Sequence, residues 1–406
     1  MEREELGGWL RLTLTPGVGN ETARRLLAAF GLPQAVWGQS TAALRQVVSE
    51  AQAAGLRAEP AQLAPLLELT WTWLQETGAG SAQRQIVVLG DADYPASLLS
   101  IEDPPLMLYL LGAGNFAPSS RLASSGGSGQ KVRSLIAATW MHSIAVVGSR
   151  NPTPQGAANA RHFAKALAQA GLTVVSGLAL GVDGAAHEGA LESVSPGSGR
   201  LATVAVVGTG LDRVYPKAHL DLAHRIAENG LLVSEYPLGT PPLNANFPKR
   251  NRLIAGLAQG TLVIEAALKS GSLITARLTS EQGKDVFAIP GSIHSPLARG
   301  CHALIKQGAK LVESAQDVLE DMKIDAPSNF ALNAQASSDT DADAENPVEA
   351  EHGLLEILGF DPVGLDALQA RTGLPTATLQ AQLMALELDE RVARLPGGLF
   401  QRLVRA

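Results

Sequence analysis

The chain has 406 residues, of which 46% are hydrophobic, and it carries a formal net charge of −7 at pH 7. Such a length favours two or three domains, and a single cysteine, Cys301, excludes an internal disulfide. The acidic start MEREELGGWL and the lack of any run of about 18 apolar residues argue against a signal peptide and a membrane partner, so we expect a cytoplasmic protein.

Residues 1–80 predict a small helical domain. Leu26 and Leu27 follow a candidate Asn20 cap, and a second helical segment covers Leu63 to Leu74. The stretch LTPGVGNETARRLL resembles a helix-hairpin-helix, in which the amides of a tight Gly-Val-Gly turn can face a DNA phosphate. A purely structural turn between two helices explains the stretch equally well. We expect residues 1–80 to form a helical domain of the sterile alpha motif (SAM) or helix-hairpin-helix-like type.

Residues 86–320 predict an α/β domain, because short apolar runs alternate with helical stretches. Such alternation favours a mainly parallel sheet with helices on both faces. A low-complexity segment, Ser119–Gln130, is predicted to be a flexible insertion, and Ser195–Arg200 a surface loop. The predicted strands are Ile86–Leu89, Met107–Leu111, Ser143–Val147, Thr173–Ser176, Thr203–Val207, Leu231–Ser234, Leu262–Glu265 and Val286–Ile289.

Residues 321–350 are predicted to form an acidic disordered linker. Positions 321–351 hold eight acidic residues and one lysine, and positions 325–350 have almost no large apolar side chains. Beyond the linker, GLLEILGF, GLDALQARTG and TATLQAQLMALELDE predict three helices. A two-stranded wing around Pro396-Gly397-Gly398 follows, so residues 351–406 are expected to form a winged helix-turn-helix domain.

The winged domain lacks the charges that duplex DNA binding needs. Its second, recognition helix, Thr376 to Glu390, contains no Lys or Arg, and residues 352–406 hold five Arg against six Asp/Glu. The sequence therefore favours a protein-contact or regulatory role for this domain.

Positive charge concentrates elsewhere, in residues 246–310, which hold nine Lys/Arg against three Asp/Glu. A local excess of this kind is typical of a polyanion site, although solvated helix faces are an equally good explanation. Within the region, NFPKRNRLIAGLAQG places an aromatic ring beside cations, immediately before a helix expected to begin near Leu253. The alternative is that Phe247 lies in the core and that Arg250 or Arg252 pairs with Glu235 or Glu265.

Several predicted strands end in turns of small residues, where backbone amides can receive a phosphate. Gly148-Ser149-Arg150 follows one strand, Ser176-Gly177 ends the next, and LKSGSLITA follows a third. Arg150 can bind a phosphate with two hydrogen bonds and can also stack on a base. Each turn alone is more often only a turn, but their recurrence on several strands favours a phosphate site. The turn Gly148-Ser149-Arg150 matches neither the dinucleotide-binding fingerprint G-x-G-x-x-G nor the P-loop motif G-x-x-x-x-G-K-[ST].

Seven segments, in this order, resemble the motifs of the DNA processing protein A family (DprA, also called Smf). They are VVGSRNPTPQG, VSGLALGVDGAAHEGAL, VVGTGLDRVYP, LLVSEYPLG, FPKRNRLIAGLA, SGSLITA and FAIPGSIHSPLARGCHALIKQGA. The resemblance implies an extended Rossmann-like domain that binds single-stranded DNA, forms a homodimer and loads the RecA recombinase during natural transformation. The candidate DNA-binding residues are Gly148, Ser149, Arg150, Ser176, Gly177, Phe247, Lys249, Arg250, Asn251, Arg252, Ser270, Gly271, Ser272 and Thr275.

Catalysis, a metal and a cofactor are not expected. Asp183 and His187 are four residues apart on a predicted helix, but no second ligand cluster or nucleophile accompanies them, so a structural cap is favoured. Gly208 and Gly210 lack the third glycine of a dinucleotide fingerprint. The alternative is a phosphoribohydrolase-like enzyme on the same fold; those enzymes carry a PGGxGT turn, whereas the Pro-Gly-Gly of this chain lies in the predicted wing.

Overall fold

The computed structural model describes residues 1–76, 82–113, 139–194, 200–324, 354–355, 357–358 and 362–403. The insertion predicted at Ser119–Gln130 lies outside the described residues, as do the linker from residue 325 onward and all but the last residue of the Ser195–Arg200 loop. A helix continues to Asp321, so the first residue assigned to the linker is still helical.

Six helices form the amino-terminal part, and they share a core with the start of the sheet. Ile86, Val88 and Tyr109 pack into the same apolar cluster as Leu6 and other helical residues. Trp73 meets Tyr109 edge to face, with ring centroids 6.1 Å apart. The helices are α1 (Arg3–Leu14), α2 (Asn20–Phe30), α3 (Pro33–Trp37), α4 (Thr41–Leu44), α5 (Glu50–Arg57) and α6 (Leu63–Gln75).

Within the described ranges, nine strands form one sheet in the order β1-β2-β6-β5-β4-β3-β7-β8-β9. The pairs β1/β2 and β2/β6 are antiparallel, and all the others are parallel, as the sequence predicted. The strands are β1 (Gln83–Val88), β2 (Met107–Gly112), β3 (Ser143–Val147), β4 (Thr173–Ser176), β5 (Thr203–Val206), β6 (Leu231–Ser234), β7 (Gly260–Val263), β8 (Asp285–Ala288) and β9 (Lys310–Leu311). The last strand was not predicted, because two residues carry no periodic signal.

Helices cover both faces of this sheet. Alternate residues of β3 enter different clusters, with Ala145 and Val147 on one face and Ile144 and Val146 on the other, because successive side chains of a strand point to opposite sides. The covering helices are α7 (Pro154–Gln169), α8 (Val182–Ser193), α9 (Leu220–Asn229), α10 (Asn246–Leu257), α11 (Ser272–Glu281), α12 (Arg299–Lys306) and α13 (Ala315–Asp321). Short 3₁₀ turns lie at Ala96–Ser100 and Lys217–His219.

The chain changes direction across the sheet at β3. From β3 it proceeds through β4, β5 and β6 on one side, and β7, β8 and β9 then extend from the other side of β3. In open α/β sheets, ligands bind beyond the carboxyl ends of the strands at such a switch point. The fold therefore indicates the crevice between the carboxyl ends of β3 and β7 as the place to look for a site.

The carboxyl-terminal part is a winged helix domain with a core of its own. Leu368, Leu379, Leu383 and Phe400 belong to this cluster, and Gly397 and Gly398 form the hairpin turn with positive φ angles. The elements are β10 (Val363–Gly364), α14 (Leu365–Thr372), α15 (Thr376–Leu388), β11 (Val392–Leu395) and β12 (Leu399–Arg402), with helical residues also at positions 354, 355, 357 and 358. The predicted two-stranded wing gains a third strand, β10.

Across the described parts of the chain, no helix combines the length and the hydropathy that a membrane span requires.

Candidate nucleic-acid interface

The carboxyl ends of β3 and β7 meet above a cavity of about 470 Å³. The amide of Ser149 donates to the Glu265 carbonyl over 2.7 Å, which joins the turn after β3 to the turn after β7. Gly148 is confined at the same place, because a Cβ there would lie 2.9 Å from that carbonyl oxygen and 2.7 Å from Val182. Only glycine lets the two turns approach this closely.

Arg150 stands at the rim of this cavity. Its side chain is exposed, and it forms no ion pair with any described residue. Its guanidinium carbon lies 5.6 Å from the centroid of the Phe247 ring, within the range of a cation–π contact. The turn after β3 thus presents a free cation beside an aromatic face, as expected for a group that contacts phosphate.

Helix α10 begins at Asn246, seven residues before the predicted start at Leu253. Pro248 lies in the first turn of the helix, where its missing N–H would have no intrahelical partner in any case. Phe247, Lys249 and Asn251 consequently project from the first turns of a rigid helix. Phe247 is partly exposed, and Lys249 is exposed.

A second aromatic ring, which the sequence analysis missed, lies next to Phe247. The centroids of Tyr215 and Phe247 are 5.5 Å apart with an interplanar angle of 36°, and Tyr215 is 47% exposed. The sequence signals were the place of Tyr215 in the segment VVGTGLDRVYP and its position before Pro216, in the turn that follows β5. Together the two rings form an aromatic platform at the edge of the cavity.

Arg250 and Arg252 differ from the other cations in their surroundings. Arg250 is 4% exposed and donates to the Gly177 and Val206 carbonyls, at the ends of β4 and β5. Arg252 is bound to the buried carboxylate of Glu235, so the alternative weighed for this residue is the one observed. Neither guanidinium is an exposed phosphate contact.

The turn after β4 is closed to a ligand. Ser176 is fully buried and its hydroxyl donates to the Val146 carbonyl over 2.7 Å. Gly177 donates its amide to the Asp183 carboxylate over 3.2 Å, and a Cβ at this glycine would clash with Arg250. The predicted assignment of these two residues to direct DNA contact is therefore not supported by their geometry.

The turn after β7 supplies the opposite rim. Lys269 is exposed and lines the cavity, although the sequence analysis singled out only its neighbours. The hydroxyls of Ser270 and Ser272 lie 2.7 Å apart, and Asn251 donates to the Gly271 carbonyl over 3.2 Å, which ties the turn to α10. Thr275 is 1% exposed and contributes to the wall rather than to the rim.

Positive charge dominates the rim. Arg150 and Lys269 are exposed, line the cavity and form no ion pair within the described residues, whereas the one acidic residue among the described lining, Asp183, is buried. Lys249 is exposed on α10 but is not one of the residues that line the cavity. The nearby Glu265 carboxylate accepts from the amide and hydroxyl of Thr153 at the start of α7; burial raises its pKa, and these hydrogen bonds oppose the rise. The arrangement can bind an anionic chain and stack its bases.

The candidate acid/base pair of α8 is structural. The Asp183 carboxylate accepts backbone amides, and the His187 Nε2 atom accepts the Leu178 amide over 3.2 Å. Burial lowers the pKa of His187 to about 3. In the described ranges, no three His, Cys, Asp or Glu side chains converge as metal ligands.

The helix-hairpin-helix-like turn is engaged by the protein itself. Asn20 and Arg24 at the start of α2 both bind the carboxylate of Asp103, at 3.0 and 2.9 Å. Gln52 donates to the Gly17 carbonyl over 2.7 Å. This turn therefore fastens the helical part to the α/β part.

Family comparisons agree with these features. The model of the DNA recombination-mediator protein A family matches residues 134–323, and the model of the DprA winged helix domain matches residues 338–398. Protein Smf of Escherichia coli strain K12 is 39% identical over 82% of this chain and 87% of that protein. Protein Smf of Synechocystis is 33% identical over 99% of this chain and 100% of that protein. The X-ray structure of DNA processing protein A from Streptococcus pneumoniae superposes with a TM-score of 0.60 at 33% identity and covers 79% of this chain and 98% of that one.

Proposed function

The chain belongs to the DNA processing protein A family, and from that premise we propose that it binds single-stranded DNA, with little sequence preference, in the cavity between β3 and β7. One observation carries the proposal: two exposed cations, Arg150 and Lys269, which form no ion pair within the described residues, line a cavity at the switch point of the sheet beside the paired rings of Phe247 and Tyr215.

This combination suits a single strand better than a duplex. Cations follow the phosphates, whereas a ring stacks on a base only when the base is unpaired, and each stacked base contributes about 1–3 kcal/mol. Stacking accepts any base, because every base has a π face. We therefore assign direct contact to Gly148, Ser149, Arg150, Phe247 and Lys249, with Tyr215, Asn251 and the turn at 269–272 completing the groove.

We also propose the family's wider role for this chain, as a cytoplasmic DNA-processing protein in natural transformation and recombination. In that role the protein protects incoming single strands, loads RecA recombinase and acts as a homodimer through its Rossmann-like domain. Two grooves on one dimer would raise the apparent affinity for longer strands, because the second contact is intramolecular.

No nucleotide turnover is part of this proposal. The cavity rim offers cations and rings. Asp183 and His187 are buried; the Asp183 carboxylate accepts two backbone amides, and the two ring nitrogens of His187 are hydrogen-bonded to the Leu178 amide and the Thr203 hydroxyl. A phosphoribohydrolase-like activity remains the rival function that the experiment must separate.

Incubation with labelled oligo-dT and, separately, with nucleoside monophosphates distinguishes single-stranded DNA binding from a phosphoribohydrolase-like activity. We expect a mobility shift whose log–log salt dependence has a slope of about −0.7 per phosphate contact, and no released base. Release of base without a salt-sensitive shift would support the enzyme instead. Light scattering tests the dimer, and filament formation by purified RecA on protein-coated strands tests the loading step.

A further inference from the structure

Three consecutive backbone amides after β4 are held by side chains of one helix. Gly177 and Ala179 donate to Oδ2 of Asp183, over 3.2 and 3.3 Å, and Leu178 donates to Nε2 of His187 over 3.2 Å. Asp183 and His187 lie on the same face of α8, because they are four residues apart. A run of converging amides at a strand end is the arrangement that receives an anion, and here the anion is a carboxylate of the protein.

The tautomer of His187 follows from its partners. The Thr203 hydroxyl donates to the Val174 carbonyl over 2.6 Å, so its oxygen accepts from His187 Nδ1, 2.8 Å away. Nε2 is then unprotonated and can accept the amide of Leu178. This acceptor stabilises Leu178 at a φ of +58°, a conformation that non-glycine residues rarely adopt.

Asp183 also faces the buried guanidinium of Arg250. Its Oδ2 lies 3.9 Å from Arg250 Nη2, and both side chains are nearly inaccessible, so the two charges compensate each other away from water. Arg250 Nη1 in turn donates to Gly177 and Val206. The carboxylate thus holds an arginine that joins the ends of β4 and β5 to helix α10.

Arg250 and Phe247 are three residues apart, on one face of α10. The orientation of this helix about its axis therefore sets the position of the Phe247 ring. Phe247 also contacts Gly208, where a Cβ would lie 3.3 Å from the ring. Lys269, on the other rim, belongs to the turn after β7; within the described residues its side chain forms no ion pair with this network, and its turn meets α10 through the hydrogen bond from Asn251 to the Gly271 carbonyl.

We propose that Asp183 is the positioning residue of the DNA groove. Its carboxylate occupies the anion site at the end of β4 and, through Arg250, sets the orientation of α10 that places Phe247 beside Arg150. The inference rests on the proposed single-stranded DNA binding. It adds that phosphates contact the ends of β3 and β7 because the protein's own carboxylate fills the end of β4.

A double-mutant cycle on oligo-dT affinity tests this coupling, with Asp183→Asn combined with Phe247→Ala and separately with Lys269→Ala. Asp183→Asn should weaken binding at least about fivefold alone and in the Lys269→Ala background, but less than about twofold in the Phe247→Ala background, because residues of one network are non-additive. Glu188→Gln, which removes a carboxylate from the same helix, is the matched control and should change none of these values. Equal losses in all backgrounds, or no loss at all, would overturn the proposal.

Hydrogen exchange without DNA separates this test from the proposed function. Asp183→Asn should accelerate exchange in residues 176–181 and 246–252 but leave α7 unchanged; unchanged exchange in both segments contradicts the positioning role even if the wild-type protein binds no DNA. Arg250→Lys keeps the charge but loses the two hydrogen bonds to the Gly177 and Val206 carbonyls. On oligo-dT affinity it should therefore show the same non-additivity with Phe247→Ala as Asp183→Asn does. If neither variant folds, the pair belongs to the stability of the domain and the proposal is wrong.

Discussion

The guanidinium carbon of Arg150 lies 5.6 Å from the ring centroid of Phe247, although Arg150 belongs to the turn after β3 and Phe247 to the first turn of α10. In the proposed binding mode, this proximity brings a phosphate-binding cation and a base-stacking ring within the length of one nucleotide. The Tyr215 ring, whose centroid lies 5.5 Å from that of Phe247, adds to the aromatic surface. The separate contributions of charge and stacking can therefore be measured at one place.

Replacing Arg150 by Ala should reduce oligo-dT affinity at least about tenfold and make the log–log salt slope less negative by about 0.7, because one phosphate contact disappears. The measurement is a salt titration by fluorescence anisotropy. Arg225→Ala is the control, since this exposed arginine lies in the middle of α9, a helix that packs on β5 and β6 and contributes no residue to the cavity lining. Unchanged binding by the Arg150 variant would contradict the phosphate-site assignment.

Removing the platform should weaken binding without changing its salt dependence. Phe247→Ala is expected to cost about 1–3 kcal/mol, and Tyr215→Ala a similar or smaller amount, because stacking involves no counterion release. Anisotropy at several salt concentrations gives affinity and slope together. A log–log salt slope that becomes less negative with either substitution would show that the ring acts by positioning a charged group rather than by stacking.

Arg252 should matter for folding rather than for DNA. Its ion pair with Glu235 is largely buried, with side-chain exposures of 15% and 10%, so Arg252→Met leaves a buried carboxylate alone and should cost about 3 kcal/mol in the free energy of unfolding. Adding Glu235→Gln should recover part of that loss. For the folded fraction of Arg252→Met we expect an oligo-dT affinity within about threefold of wild type. A tenfold loss of affinity would show that Arg252 contacts DNA.

His187 should make stability depend on pH. Its folded-state pKa of about 3 lies below the ordinary value of 6.5, because burial disfavours the cation. As pH falls below 6.5, the unfolded chain takes up a proton that the folded protein does not, so stability falls by up to about 1.4 kcal/mol per pH unit. Urea unfolding between about pH 5 and 6.5 should show a smaller slope for His187→Asn than for wild type. His224→Asn, at an exposed position, should retain the wild-type slope.

Deleting the winged domain should spare DNA binding. The deletion is best made after Ile324, because Met322 and Ile324 pack against the core of the α/β domain. Oligo-dT affinity should remain within about threefold at moderate salt, since the groove cations all precede the cut. A loss of tenfold or more, in a truncated protein shown to be folded and of unchanged oligomeric state, would mean that the winged domain contacts the strand.

The fold was largely predictable from local pattern. Ser143–Val147, Thr173–Ser176 and Leu231–Ser234 were predicted to the residue, because fully buried parallel strands are short apolar runs bounded by turn residues. The start of α10 was missed by seven residues, since Pro248 is compatible with a first turn as well as with a break. Strand β9 was too short to predict.

The site was predictable only in its location and composition. Gly-Ser turns after strands, together with Phe247 and its neighbouring cations, are local features, and the pattern of apolar runs was enough to place them at carboxyl ends of a parallel sheet. Which of their donors are free was decided by contacts between distant residues. Arg250 reaches the Gly177 carbonyl across 73 positions, and Asp103 engages Arg24 across 79. A motif shows which groups are present, but only the packed structure decides whether a buried partner already satisfies them, because desolvated polar groups must be paired within the fold.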